Sequence, residues 1–333
     1  LPADELLKTT PSGAMLRIFI RRLLLGIATV AIVSGIIFAA VEALPGDACT
    51  AILQRDASGE RLSNCRRELG LDRPAVTRYV EWASGAVRGD LGISAHNNKP
   101  IASLVGDRLK NTLLLAGCSL ALGIPLALFL GVLTGLRRDR FSDLALSTIA
   151  IFAMTIPEFV TATVLIFVFS IWLGWVPGIV TASASAPLSA FFPGIALPVL
   201  VLTMVMTAHI MRTVRSSVID VMSSDYVQMA TLKGVPYWQI VFRHALPNAL
   251  LPAINVIALT VGWLLGGVVV VEKVFNYPGL GHYMIDSISD RDLPVVQAIA
   301  LIVAAAYVGV NLAADLLAMA FNPRLRTLKA RSP

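Results

Sequence analysis

The sequence predicts an all-α integral membrane protein with six transmembrane helices. Three observations carry that prediction. Apolar residues make up 56% of the 333 positions and charged residues only 14%, with a mean hydropathy of +0.75. Soluble domains run at about 45–50% apolar and about a quarter charged. Six stretches are apolar over a length close to the roughly 20 residues that a helix needs to cross the hydrocarbon core. Lys and Arg gather in alternate connecting segments, the asymmetry that orients membrane proteins. This bias accounts for the net charge of +6 without a nucleic-acid partner.

Residues 1–22 read as a polar N-terminal tail on the inner side, carrying Lys8, Arg17, Arg21 and Arg22. The first span, 23–44, is longer than the roughly 7–15 apolar residues of a signal-peptide core and is read as retained. Residues 45–111 are too long for a simple connector and lie outside. Loops of that length cross largely regardless of charge, so their basic residues do not oppose the assignment. Within them, residues 74–86 form an amphipathic helix whose Tyr79 and Trp82 suit the headgroup level. Cys49 and Cys65 face a compartment that permits a disulfide. Closing a loop of about 15 residues is worth roughly 3 kcal/mol, although spacing alone leaves the bond open. Cys118, in the second span, reads as a small core residue.

The remaining spans are 112–136, 144–173, 195–211, 250–271 and 297–321. The third contains Pro157, which predicts a kink. The fourth is short unless it runs beyond Met211. Arg137, Arg138 and Arg140, then Arg212, Arg215, Lys233 and Arg243, then Arg324, Arg326, Lys329 and Arg331 fall inside. The two short outer loops hold only Lys273 and Arg291. Both termini, including the tail 322–333, are therefore expected in the cytoplasm. Charges within spans are costly and face a cavity or a partner. Glu158, beside Pro157, is the pathway candidate, and His209 is a second ionisable group in a span. Glu42 and Asp315, near span ends, read as structural, with Asp315 placed to pair with an inner-side Arg.

Residues 225–247 form a polar island between the fourth and fifth spans. Asp225 reads as an N-cap, and residues 227–233 allow two helical turns. Gly234 can turn the chain with positive φ, and Pro236 can open the next helix at its first position. Met229, Leu232, Val235 and Trp238 would share an apolar surface. Ala230 stands four residues before Gly234, nine residues separate Gly234 from His244, and Leu246 and Pro247 follow. That spacing resembles the cytoplasmic EAA loop of ABC importer permeases, although Gln228 and Met229 replace the first two residues of the triplet. Further pieces, at 44–47, 69–74, 78–82, 88–94, 271–281, 290–297, 311–315 and 322–324, are similar in the same order to the B-type permease of the dipeptide/oligopeptide branch. The resemblance covers nearly the whole chain beyond the tail.

The resemblance implies a type I ABC importer fold, with a long periplasmic segment at 45–111 and a permease core at 112–321. It implies that 225–247 is a coupling loop, where Tyr226, Ala230, Lys233, Gly234, Val235 and Trp238 would meet an ATPase. Expected partners are a second, C-type permease as a heterodimer, two cytoplasmic ABC ATPase subunits and a periplasmic or lipid-anchored solute-binding protein, within bacterial inner-membrane lipid. Tyr79 and Trp82 are candidate contacts for the binding protein. The piece at 271–281 would make a re-entrant turn at Pro278, Gly279 and Gly281, with Phe275 and Tyr277 anchoring it at the interface. No phosphate-binding Gly-x-x-x-x-Gly-Lys-Ser/Thr loop occurs. ATP and Mg are accordingly expected on the partner subunits, with no cofactor, metal or catalytic residue in this chain. Di- or oligopeptides are the implied cargo, with nickel, glutathione or opine-like solutes as alternatives. An ion-coupled secondary transporter is the competing class, but no inverted repeat is evident. A membrane-embedded enzyme would cluster His, Asp or Glu within spans, and here they scatter.

Overall fold

The computed structural model describes residues 11–43, 46–53, 57–68, 70–180 and 188–321. Helix α1, Pro11–Glu42, begins well before residue 23. Three shorter helices follow: α2 (Ala48–Leu53), α3 (Gly59–Glu68) and α4 (Ala75–Val87). Helix α5 (Ile101–Leu136) is followed by α6 (Phe141–Thr155) and α7 (Glu158–Trp172). Helix α8 (Leu188–Met222) leads to α9 (Asp225–Leu232), α10 (Tyr237–Ala249) and α11 (Leu251–Val274). Helices α12 (Leu280–Ser289) and α13 (Leu293–Phe321) close the described chain.

Four of these helices are long and apolar enough to cross a membrane, and six spans result if each bent pair counts as one. The third span departs from the expected kink. Pro157 cannot continue a helix hydrogen-bond ladder and pushes Ile156 into extended backbone (ψ 126°), so α6 and α7 meet at 107°. The fourth span is a 35-residue helix, so Arg212 and Arg215 lie inside it rather than in a loop. Before the fifth span, α10 meets α11 at 45°.

Helix α8 is the centre of the bundle: 72% of its most apolar window is buried, against 6% for α1. Its main partner is α5, which presents Ser119, Gly123, Ala127, Gly131 and Gly135 at four-residue intervals. One stripe of small residues lets two helices approach closely, the usual device where lipid removes the hydrophobic drive. Cβ atoms added to Gly123, Gly131 and Gly135 would lie 2.8, 2.6 and 2.7 Å from Met206, Val214 and Val218 in turn. The rising numbers on both helices show that α5 and α8 run parallel. The basic turn after α5 (137–140) therefore sits at the same end of the bundle as the polar segment after α8.

Asp143 of α6 is fully buried and takes a two-pronged contact from Arg215 of α8, Nε to Oδ1 at 2.6 Å and Nη2 to Oδ2 at 2.7 Å. The Asp139 N–H and Ser147 hydroxyl complete its shell. A fork-to-fork Arg–carboxylate pair is directional as well as strong, so it sets the rotation of α6 on α8.

At the opposite end, the turn between α11 and α12 folds back onto α5. Glu272, fully buried, accepts the Thr112 hydroxyl at 2.6 Å and the His282 N–H at 3.0 Å. Thr112 Oγ1 in turn accepts the Leu280 N–H at 2.8 Å, and Asn111 donates to the Pro278 carbonyl at 2.8 Å. Phe275 and Tyr277 are fully buried, not placed at a lipid interface. The Tyr277 hydroxyl donates to the Asn111 carbonyl at 2.7 Å, and the Val180 N–H donates to the Phe275 carbonyl at 2.9 Å. A buried phenol needs such a partner, and the turn supplies it. Nearby, Asp292 accepts the Ser94 hydroxyl and the Ala95 N–H, pinning the loop before α5.

Candidate functional site

The segment expected to couple to a partner is a short helix, a turn and a second helix. Ser224 (ψ 152°) is the N-cap of α9, and Asp225 is its first helical residue rather than its cap. The end of α9 explains the spacing of Ala230 to Gly234. The Val235 N–H reaches back to the Ala230 carbonyl at 3.2 Å, and the Gly234 N–H to the Thr231 carbonyl at 2.9 Å. This crossed pair is the Schellman motif, which requires left-handed backbone just past the cap. Gly234 supplies it with φ +76°, and Lys233 is the exposed C-cap. Pro236 then sits as the N-cap of α10, one position earlier than expected.

Above this scaffold lies an exposed apolar knuckle. Tyr226, Met229 and Leu232 on α9 are 46%, 53% and 82% exposed, and Tyr237, Trp238 and Phe242 on α10 are 50%, 62% and 65% exposed. Trp238 stacks on Phe242 with centroids 5.8 Å apart, and Tyr237 meets Trp238 edge-on at 5.3 Å. Val235 and Ala230 are half-buried beneath the turn and support it. Val227, Ile240 and Val241 point inward and fasten the knuckle to the bundle. The Asn248 amide donates to the Tyr226 hydroxyl at 3.4 Å, tying α9 to the far end of α10. Sequence reasoning missed Tyr237 and Phe242. Their signal was an aromatic four residues from another aromatic-rich turn, on the face opposite the buried Ile240 and Val241. Six large apolar side chains are thus exposed around one helix–turn–helix.

The other candidates fall elsewhere. Tyr79 and Trp82 lie on α4, and Tyr79 faces α1: its hydroxyl bonds to Ser34 at 2.8 Å and its ring packs on Phe38 at 5.3 Å. Arg78 pairs with Glu42 on the same interface. The exposed large apolar residues of α4 are Val76, Val80 and Val87. Cys49 and Cys65 are joined as a disulfide with Cα atoms 5.9 Å apart, linking α2 to α3. Beside it, burial pushes the Asp47 carboxyl up, but the Thr50 N–H and the Arg66 guanidinium 2.6 Å away outweigh burial and hold it below its usual range. Glu158 opens α7 immediately after the 107° bend, and the side chain of Asp315 lies outside the described residues. Among the described residues, no group of His, Cys, Asp or Glu could hold a metal ion.

Comparison with known proteins agrees with this architecture. Residues 123–327 match the family described as binding-protein-dependent transport system inner membrane component, and residues 15–116 match its N-terminal companion. A putative peptide permease protein of Brucella ovis is 34% identical over 317 residues, covering 94% of this chain and 99% of that protein. A glutathione transport system permease protein of Escherichia coli is 38% identical over 312 residues, with the same coverage. A probable peptide ABC transporter permease protein of Sinorhizobium fredii is 34% identical over 307 residues, covering 92% and 98%. With its parallel α5–α8 core and the exposed knuckle between two spans, the chain belongs to the family of inner-membrane permease components of binding-protein-dependent ABC importers.

Proposed function

We propose that this chain is one half of the membrane pathway of an ATP-driven importer for di- or oligopeptides. A second, similar permease forms the other half, and the solute passes between the two bundles. Two ATPase subunits bind ATP and Mg in the cytoplasm, and each docks on a knuckle such as Tyr226–Trp238. A solute-binding protein delivers cargo on the outer side. The observation that carries this reading is the knuckle itself: six exposed apolar side chains on a rigid helix–turn–helix at the end of the central helix α8. The basic turn 137–140 sits at the same end, which supports placing that end and both termini in the cytoplasm.

The mechanism follows from how the knuckle is fastened. Its inward residues, Val227, Ile240 and Val241, lie against the bundle with 3%, 2% and 0% exposure. A movement imposed on Trp238 by closing ATPase subunits cannot be absorbed in the knuckle. It passes to α8 and, across the 45° bend, to α11. Coupling needs an element with two arrangements that ATP biases, and the paired bundles supply it. The relatives' names divide between peptide and glutathione, itself a short peptide, so the cargo is assigned as a class.

The test is uptake of a labelled dipeptide into proteoliposomes holding the complete complex, comparing wild type with Trp238→Ser. Trp238 is exposed, so the substitution leaves the fold intact. ATP-dependent uptake by wild type that falls at least about tenfold in the variant is the expected result. Uptake driven by an ion gradient without ATPase subunits would refute the reading.

A further inference from the structure

The geometry points to a binding subsite for the terminal charges of a short peptide in the groove between α6, α8 and α11, with Arg212 and His209 taking the carboxylate and Glu158 the ammonium. This rests on the importer reading and adds where, within the membrane half, cargo is held.

The groove is a cavity of about 320 Å³ lined by Met154 of α6, by His209, Arg212 and Thr213 of α8, and by Thr260 and Trp263 of α11. Small-ligand sites start at about that size. Arg212 is exposed at the rim of the groove, towards the end of α8. Its neighbour one turn on, Arg215, has a carboxylate partner in Asp143. Arg212 has no carboxylate partner among the described residues. It lines the groove together with His209, Thr213 and Thr260. Five fixed donors on a guanidinium suit a carboxylate in two-pronged fashion.

The acid pole lies beside the groove, next to its Trp263 wall. Glu158 has no hydrogen bond or ion pair among the described residues. Its Oε2 lies 3.5 Å from where a Cβ on Gly267 would sit, and the Trp263 indole edge lies 3.3 Å from that point. Gly267 thus opens the space in which the carboxylate and the indole sit side by side. The indole in turn meets His209 with ring centroids 6.1 Å apart. Along α11 the order from the outer end is Gly267, Trp263, Thr260, an axial run of ~10 Å. An acidic pole outside and a basic pole inside would hold a zwitterion amino-end outward. The Trp263 face between them is open to the cargo's side chain.

The test uses the complete complex in proteoliposomes with saturating solute-binding protein, so that capture outside is equal for all variants. Uptake is measured for a labelled dipeptide and for its C-terminal amide. Arg212→Gln should lower free-acid uptake about tenfold while leaving amide uptake unchanged. Arg212→Lys should restore most of the free-acid rate. Glu158→Gln should show the complementary loss, removed when the peptide is N-acetylated. An unchanged ratio of acid to amide uptake in Arg212→Gln would overturn the subsite. So would equal losses for both peptides without rescue by Arg212→Lys, which would mean a packing role. If wild type moves neither peptide with ATP, the importer reading fails and the subsite falls with it.

Discussion

Alanine at Gly131 is a direct test of the α5–α8 contact on which the bundle is built. An added Cβ would lie 2.6 Å from Val214 Cβ, 2.8 Å from Val214 Cγ1 and 2.9 Å from the Met211 carbonyl oxygen. Two of those atoms are backbone or fixed to it, so no rotamer change relieves the clash. Reaching an ordinary carbon contact of ~3.5–4.0 Å requires the helices to part by ~1 Å. Overpacking of this kind costs about 1–3 kcal/mol. At about 2–4 °C per kcal/mol for domains of roughly 150–250 residues, and less for a longer chain, the midpoint should fall by a few degrees. Two further variants turn this into a ranking. Gly123→Ala meets only the Met206 thioether, at 2.8 Å to Sδ, which can swing away and should cost less. Gly117→Ala, on the same helix, meets nothing within 4 Å and should gain about 1 kcal/mol through helix propensity. Thermal unfolding of the purified complex in detergent measures all three. If Gly131→Ala melts no lower than Gly117→Ala, the close approach of α5 and α8 is not what holds the bundle.

Other consequences follow from the same contacts. Gly279→Ala would drive a Cβ to 2.0 Å from the Glu272 carboxyl and should loosen the turn onto α5, seen as faster proteolysis between α11 and α12. Asp143→Ala leaves Arg215 unpaired in a partly buried site and should cost about 3–5 kcal/mol, whereas removing both partners should cost less; a double-mutant cycle on thermal stability reads the difference. The Asp47 carboxyl is held below its usual range, so its contribution is fully present above the unfolded value near ~3.9 and is lost as pH falls through the lower folded value. Amide protection factors in α2 and α3, corrected for the intrinsic pH dependence of exchange, should therefore hold at neutral pH and fall only as Asp47 protonates in acid, and Arg66→Gln should move that onset upward.

Much of this architecture was legible because bilayer solvation leaves few options. Apolar runs of span length have to be helices, and the Ala230-to-Gly234 spacing has a specific physical origin in the crossed hydrogen bonds that end α9. What the sequence left hidden depends on distant partners. Arg212 and Arg215 looked like ordinary inner-side charges. Only the continuation of α8 to Met222 puts them on one continuous helix, one paired with Asp143 and the other lining a groove. Tyr79 looked like an interfacial ring because amphipathicity cannot tell a lipid headgroup from a neighbouring helix. Its hydroxyl bonds to Ser34 of α1. Phe275 and Tyr277 misled in the same way, since aromatic residues beside a glycine turn suit an interface as well as a core. The small-residue stripe from Ser119 to Gly135 was in plain view, but its meaning needed the facing helix.

The central claim is that the knuckle between α8 and α11 meets an ATPase subunit. A single cysteine placed at Leu232, 82% exposed on the knuckle, tests it in a chain whose free thiol is removed by Cys118→Ala. A second cysteine placed at Val87, 90% exposed on α4, is the matched control. After reconstitution with the ATPase subunits and a short thiol-to-amine crosslinker, the account predicts a crosslinked product with an ATPase subunit from position 232 and none from position 87. No product from position 232 under conditions where the complex hydrolyses ATP would contradict it.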